Sequence, residues 1–333
     1  MGDVKNGKNG IKEAIIKTVA FFDLFDYPLT LFEVHRYLYL PQVDCGLAGS
    51  STVNKITNYE LRITNIDSLL EELLRENIFG RKNGFYFLEG RESIIAERLR
   101  RFNRSGRKIS RAKKIIRLFS ALPWIKMIAL GNVMGSRNFK KESDIDFIIV
   151  TSKNRIWITR FFCAGLMAML GLRPTKGKTK DRICLSFFIS EDRLGLEFLS
   201  GQEDICFYYW LAGFTPLYER GDIFRKLCEA NGWLKEILPN CEPVSPAGEV
   251  RVERSILAAM TGEVIEPLAG WLEPLIMNFQ LKIFPPAIRE KLNQGTDVFV
   301  DKGIIKLHVN DRRKMYRAEW KKRTRQVLSG MEK

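Results

Sequence analysis

The sequence predicts an α/β (α+β) protein in three parts: a small N-terminal domain of helices closed by a hairpin, a central sheet domain, and a helical C-terminal region. Three observations carry that prediction. Apolar residues recur at helical spacing early in the chain and then give way to two short apolar runs around Asn83-Gly84. Trp124–Leu130 and Asp144–Thr151 are nearly continuous apolar segments, the pattern of strands buried on both faces. Beyond residue 241, helical segments are interrupted by Pro267, Pro274, Pro285 and Pro286.

Taken in order, Ile15, Ile16, Val19 and Phe22 share one helical face, and Asp26-Tyr27-Pro28 ends that helix. Thr30 with Glu33 is a capping box opening a second helix that runs to about Leu40. After a loop rich in Gly and Ser, Ile66, Leu69, Leu70, Leu73 and Leu74 mark a third helix. Asn83-Gly84 then turns a hairpin over Phe79–Leu88, since a two-residue turn needs positive φ at both positions. Three helices and a hairpin are the plan of a winged helix-turn-helix, so residues 1–90 are expected to form a winged-helix-like domain. Its third helix sets Asp67, Glu71, Glu72 and Glu76 against Arg75 alone. Phosphates flanking a major groove would repel that helix, which favours a docking or regulatory role over DNA reading.

Residues 91–122 read as a basic linker helix ended by Pro123. From Arg98 to Arg117 come ten bases (Arg98, Arg100, Arg101, Arg104, Arg107, Lys108, Arg111, Lys113, Lys114 and Arg117) and no acid. A second run, Arg312 to Arg325, is broken by Glu319. Such density attracts polyanions by counterion release, RNA or another nucleic acid first among them; the alternative is a solvated helix face. Residues 123–240 are the sheet domain, with a helix over Arg155–Leu170 and a third strand over Ile183–Ile189. Residues 241–333 are expected to be helical, ending in a basic helix over Asp311–Leu328.

Composition bounds the function. The 333 residues suffice for two domains at roughly 150 residues each, and 45% hydrophobic with 28% charged residues is ordinary for a globular chain. A net charge of +15 suits an anionic partner. The longest apolar run, Phe161–Leu172, is too short to span a bilayer, and no apolar segment marks the N-terminus as a secretory signal. The six cysteines are scattered without a CxxC pair and only His35 and His308 accompany them, so a zinc site is not expected and a reduced, cytoplasmic protein is. Cys163 and Cys184 read as small buried hydrophobes, and His35 as structural. His308 has a structural reading and, as an alternative, a phosphate contact. The interrupted apolar segment Ile256–Phe284 could lie on a membrane surface, but Glu263, Glu266 and Glu273 suit anionic lipid badly, so packing onto the sheet domain is expected.

The chemistry concentrates in Ala129-Leu130-Gly131-Asn132-Val133-Met134-Gly135-Ser136 and Ser143-Asp144-Ile145-Asp146-Phe147-Ile148-Ile149-Val150. Residues i and i+2 of a strand share a face, so the Asp144 and Asp146 carboxylates project together. They repel unless a cation lies between them, which makes a Mg²⁺ site completed by substrate phosphates. Gly131 gives the preceding strand a turn tight enough for backbone to approach phosphate oxygens.

A strand, a glycine turn, roughly ten residues and then Asp-h-Asp on the next strand resemble the DNA polymerase β-like nucleotidyltransferase superfamily, over about Trp124–Ile189. The resemblance implies Mg²⁺-dependent transfer of a nucleoside monophosphate from an NTP such as ATP, with Mn²⁺ as the substitute metal. Asp144 and Asp146 would be the catalytic metal ligands. Gly131, Asn132, Ser136 and Arg137 would bind the nucleotide, with Lys140 as a further cation for the triphosphate. The acceptor would be a hydroxyl of RNA, tRNA for instance, held by the basic segment 98–117, or a protein hydroxyl. Asn132 stands where the signature has serine. The strand Arg182–Ile189 lacks the superfamily's third carboxylate: Ser186 occupies its place, with Asp181, Glu191, Asp192 and Glu197 nearby. A catalytically inactive regulator that binds nucleotide or nucleic acid is therefore the alternative, and a winged-helix DNA-binding protein with a sensor domain is a third reading.

Overall fold

The computed structural model describes residues 2–40, 62–131, 138–175, 177–242 and 256–331, with side chains described from residue 8 and from residue 266 in the first and last stretches. The Gly- and Ser-rich stretch expected as a loop lies in 41–61, outside the described residues.

Helix α1 (Gly2–Asp23) stops where Asp26 takes a left-handed backbone, φ 52°, ahead of Pro28. Leu29–Thr30 is a short strand, β1, and Thr30 caps α2 (Leu31–Arg36) with both halves of the capping box made. That helix ends before Leu40 because Leu38 and Tyr39 turn into the core, where the Tyr39 N–H donates to Thr18 Oγ1 at 3.0 Å. α3 (Ile63–Arg75) buries Ile66, Leu69, Leu70 and Leu73. β2 (Phe79–Lys82) and β3 (Phe85–Leu88) form the hairpin, with Asn83 and Gly84 at φ 52° and 76°. β1 pairs with β3 to complete a sheet of order β1-β3-β2.

The basic helix α4 (Ile94–Phe119) leads into a six-stranded mixed sheet. Its strands are β4 (Ile125–Leu130), β5 (Ile145–Thr151), β6 (Ile183–Ser190), β7 (Thr215–Glu219), β8 (Val298–Val300) and β9 (Ile304–Leu307), in the order β7-β4-β5-β6-β9-β8. β5 and β6 run parallel through the crossover helix α5 (Ile156–Met169), and the other described pairs are antiparallel. The remaining helices are α6 (Ile205–Ala212), α7 (Ile223–Ala230), α8 (Leu234–Ile237), α9 (Ile256–Ile283), α10 (Pro286–Lys291) and α11 (Arg313–Met331). The expectation of a wholly helical region beyond 241 fails at 298–307. There Val298, Val300, Ile304 and Ile305 bury themselves by pairing with β6, too few residues to show a helical or strand period on their own.

The sheet is covered on both faces. On one side Ile145, Phe147 and Ile149 of β5 meet Ile109, Ala112 and Ile116 of α4, Trp157, Cys163 and Met167 of α5, and Phe284. On the other, Ile148 and Val150 join a larger core with Ile205 and Phe207 of α6, Leu227 of α7 and Trp320 of α11. That core continues without a break into the buried residues of α1, α3 and the hairpin. Trp320 stands edge-on to Tyr39 at 5.5 Å and donates its indole N–H to the Lys17 carbonyl at 2.9 Å. No described helix is long and apolar enough to cross a membrane.

Candidate active site

The site is built where β5 begins. Asp146 lies on β5 and Asp144 just before it, so strand alternation turns both carboxylates toward α6 and α11 while Ile145 and Phe147 go to the opposite core. Cys184 of β6 stands opposite Asp146 in the parallel register. One ligand atom from each of Asp144, Asp146 and Cys184 lies within 4.8 Å of the others. Ser186, two residues on, shares the cavity wall with Cys184 by strand alternation, and the register then shifts so that Ile148 pairs with Phe187. The Cys184 thiol donates to Ser186 Oγ at 3.2 Å, and Ser186 Oγ lies 2.7 Å from His308 Nε2.

Burial, with Lys108 opposing it, pushes the Asp144 carboxyl up. Burial and then the Asp144 charge push Asp146 up to about 7. Among the described residues no cation forms an ion pair with either. Burial, reinforced by Asp146, holds Cys184 well above the usual thiol range, so it stays protonated. Two hard oxygen donors that repel each other, with no described ion pair, fit a divalent cation such as Mg²⁺ or Mn²⁺. His308 is pushed down to about 4 by burial and by Lys306, and is therefore a neutral hydrogen-bonding group rather than a charge.

These residues open into a cavity of about 570 Å³. Facing the carboxylates are Trp210, Phe207 and Tyr316 and the segment from Lys306 to Arg313. Two of its cations are already committed. Arg313 holds Asp311 at 2.7 Å and Asp204 at 2.6 Å, and Lys306 reaches Asp311 at 3.4 Å. Arg312 is exposed, lines the cavity, and has no ion pair with a described residue.

Of the nucleotide-binding residues expected from sequence, Gly131 lines this cavity. Its own N–H, however, donates to the Asp146 carbonyl at 3.0 Å, so it serves by clearance and not as a phosphate donor. A Cβ there would meet Ile148 Cδ1 at 2.7 Å. Gly131→Ala is expected to press Ile148 into the cavity, costing about 1 kcal/mol of stability and weakening nucleotide binding. Adding Ile148→Val removes the Cδ1 contact but keeps Cγ1 at 2.9 Å, so it is expected to restore both in part, as thermal melts and nucleotide titration will read. Asn132, Ser136 and Arg137 lie outside the described residues. Lys140 is exposed and does not line the cavity.

No third carboxylate joins the pair from the strand after it. Asp181 is held by Lys108 at 3.2 Å, Glu191 by Lys126 at 3.5 Å and Asp192 by Lys153 at 3.7 Å, and neither these nor Glu197 line the cavity. The basic segment also divides. Arg98 turns inward to Glu33 and over Tyr27, Arg101 to Glu97, and Lys108 to Ser143 beneath the aspartates. Sequence reasoning missed Cys184, Trp210 and Arg312 as cavity residues, whereas Ser186 stands in the cavity at the place expected of the third carboxylate. Aligning β5 with β6 in parallel was the signal that would have found Cys184. Comparison with protein-family models, with curated proteins and with solved structures gives no match.

Proposed function

We propose that the protein is a Mg²⁺-dependent nucleotidyltransferase that moves a nucleoside monophosphate from an NTP to an acceptor hydroxyl. The observation that carries this reading is the pair of mutually repelling carboxylates on one wall of a cavity, facing aromatic side chains and Arg312. Asp144 and Asp146 would hold the cation, which when bound neutralises triphosphate and leaving-group charge. Arg312 receives phosphate oxygens from the open side, and Trp210 and Phe207 exclude water from the wall behind. The acceptor oxygen bonds to the α-phosphorus as the bond to pyrophosphate breaks, and the hydroxyl proton leaves to solvent or phosphate. Ser186 and neutral His308 offer hydrogen bonds to the acceptor or ribose hydroxyls without adding charge.

Titration calorimetry with each NTP and Mg²⁺ tests this. Binding to wild type, about ten-fold weaker binding to Arg312→Ala, and none to Asp144→Ala/Asp146→Ala are expected. A second reading, a nucleotide-binding regulator without turnover, has its support in the missing third carboxylate, since Asp311 in the cavity is locked by Arg313 and Lys306.

RNA is the favoured acceptor, a protein hydroxyl the alternative. After the inward-turned bases are set aside, Arg104, Arg107, Arg111 and Lys114 remain at helical spacing on one outer face of α4 without ion pairs to described residues. Charge reversal of Arg104, Arg107 and Arg111 is expected to lower the slope of log binding constant against log salt by about 2, at ~0.7 per lost single-strand phosphate contact. The winged-helix-like reading of the N-terminal unit goes with docking rather than DNA reading. Glu72 of α3 and Glu76 just after it are tied to α1, by Lys8 at 2.5 Å and Lys12 at 2.7 Å, and Asp67 forms no ion pair with a described residue.

A further inference from the structure

Helices α5 and α9 pack against each other and turn a shared apolar face outward. Along α9, Leu268, Trp271, Leu275, Phe279 and Ile283 follow one another at three- or four-residue spacing, each at least 50% exposed. At 1.5 Å per residue this row is about 22 Å long. α5 adds Phe161, Phe162 and Met169, and Phe161 stands edge-on to Phe279 with ring centroids 6.4 Å apart, so the two rows are continuous. An apolar surface of this extent marks an interaction site.

Of the described acids of α9, Glu273 is withdrawn from this face, and Glu266, exposed, is neutralised by a base. Glu273 is buried and accepts the backbone N–H groups of Trp157 and Ile158 at 2.8 and 2.9 Å. Glu266 accepts the Trp124 indole N–H at 2.7 Å and pairs with Arg155 at 2.7 Å. Arg160, the charge within α5, is buried against Gln280. The charges left at the margin are mostly basic. Lys282 lies beside the row on α9, Arg289 follows on α10 and Arg173 lies just beyond α5, with Glu290 the acid among them, while Lys291 is held by the Val309 carbonyl at 2.8 Å.

We infer that this face seats the protein peripherally on an anionic lipid bilayer. Apolar side chains enter the interface while the marginal bases meet anionic headgroups. A two-fold pair of chains joined through the same face would instead bring these bases together, with Glu273 buried and Glu266 already neutralised by Arg155, so charge favours lipid over a second copy. The aspartate pair projects from the opposite face of the sheet, so the cavity stays open when the protein is seated. The inference is independent of what the cavity does.

The test is flotation of the full chain with vesicles of phosphatidylcholine alone or of equimolar phosphatidylcholine and phosphatidylglycerol. Binding to the anionic vesicles is expected, reduced at least about ten-fold by Trp271→Glu/Phe279→Glu and also weakened by Lys282→Glu/Arg289→Glu. Quenching of wild-type tryptophan fluorescence by brominated anionic lipid reads the same contact without any variant. Failure of the wild-type chain both to float and to be quenched would overturn the proposal. So would vesicle binding that Trp271→Glu/Phe279→Glu leaves intact. A concentration-dependent dimer abolished by that variant, with no vesicle binding, would assign the face to a second copy instead.

Discussion

Asp146→Asn is expected to lower transfer by at least about 10³-fold, the scale on which charge-stabilising groups act in phosphoryl transfer. The chain should stay folded, because Asn copies the shape of the protonated carboxyl that burial already favours. The same substitution should stabilise the cation-free protein, and the sign follows from linkage. A carboxyl of ordinary value 3.8 raised to about 7 binds more protons folded than unfolded between those values. Its contribution is therefore present below about pH 4 and is lost as pH rises toward 7. In chelator, the stability of wild type minus that of Asp146→Asn should fall across that window in thermal or denaturant melts. Mg²⁺ with NTP should raise the wild-type melting temperature and leave that of Asp146→Asn unchanged. A flat difference curve would mean that the carboxylates are relieved by some other group and need no cation.

The second large effect concerns stability. Asp23 is 2% exposed at the end of α1, takes Arg91 at 3.1 Å, and also accepts from Arg323 of α11. One carboxylate thereby joins the start, the linker and the end of the chain. Asp23→Ala removes the buried charge between the two guanidinium groups, leaving Arg91 only Asp26 at 2.7 Å and Arg323 only Glu319 at 3.7 Å, which is expected to cost about 3 kcal/mol. Both arginines keep partial access to water, so the cost belongs at the low end for a broken buried pair. Denaturant melts of the variant, with Arg323→Ala beside it, measure the coupling. Equal stability of wild type and Asp23→Ala would show that α11 is held by Trp320 and its apolar neighbours alone.

Local signals carried much of this structure into the sequence. Thr30 and Glu33 announce a cap because the chemistry lies within four residues, and Asn83-Gly84 announces a turn because few residues take positive φ. Asp144 and Asp146 were legible for the same reason: alternation along a strand decides where they point. What stayed hidden depends on contacts between distant segments. The strands Val298–Val300 and Ile304–Leu307 exist because β6 offers an edge, and Thr215–Glu219 because β4 offers another. Ser186 and His308, far apart in sequence, meet only once β9 lies beside β6. Ten bases in one run looked uniform in sequence. Arg98 and Lys108 are in fact structural braces, which only their partners Glu33 and Asp181 could reveal. Of the acids that set α9 against an apolar surface, Glu273 turns inward to the start of α5 and Glu266 is neutralised by Arg155.

The most direct test of nucleotidyl transfer is incubation of the full chain with each labelled NTP, Mg²⁺ or Mn²⁺, and total cellular RNA or protein, beside Asp144→Ala/Asp146→Ala. Label covalently joined to RNA by wild type, and by the variant not at all, is the predicted result. Nucleotide bound by the wild type with no label transferred to any acceptor would contradict it and make the chain a nucleotide-binding regulator.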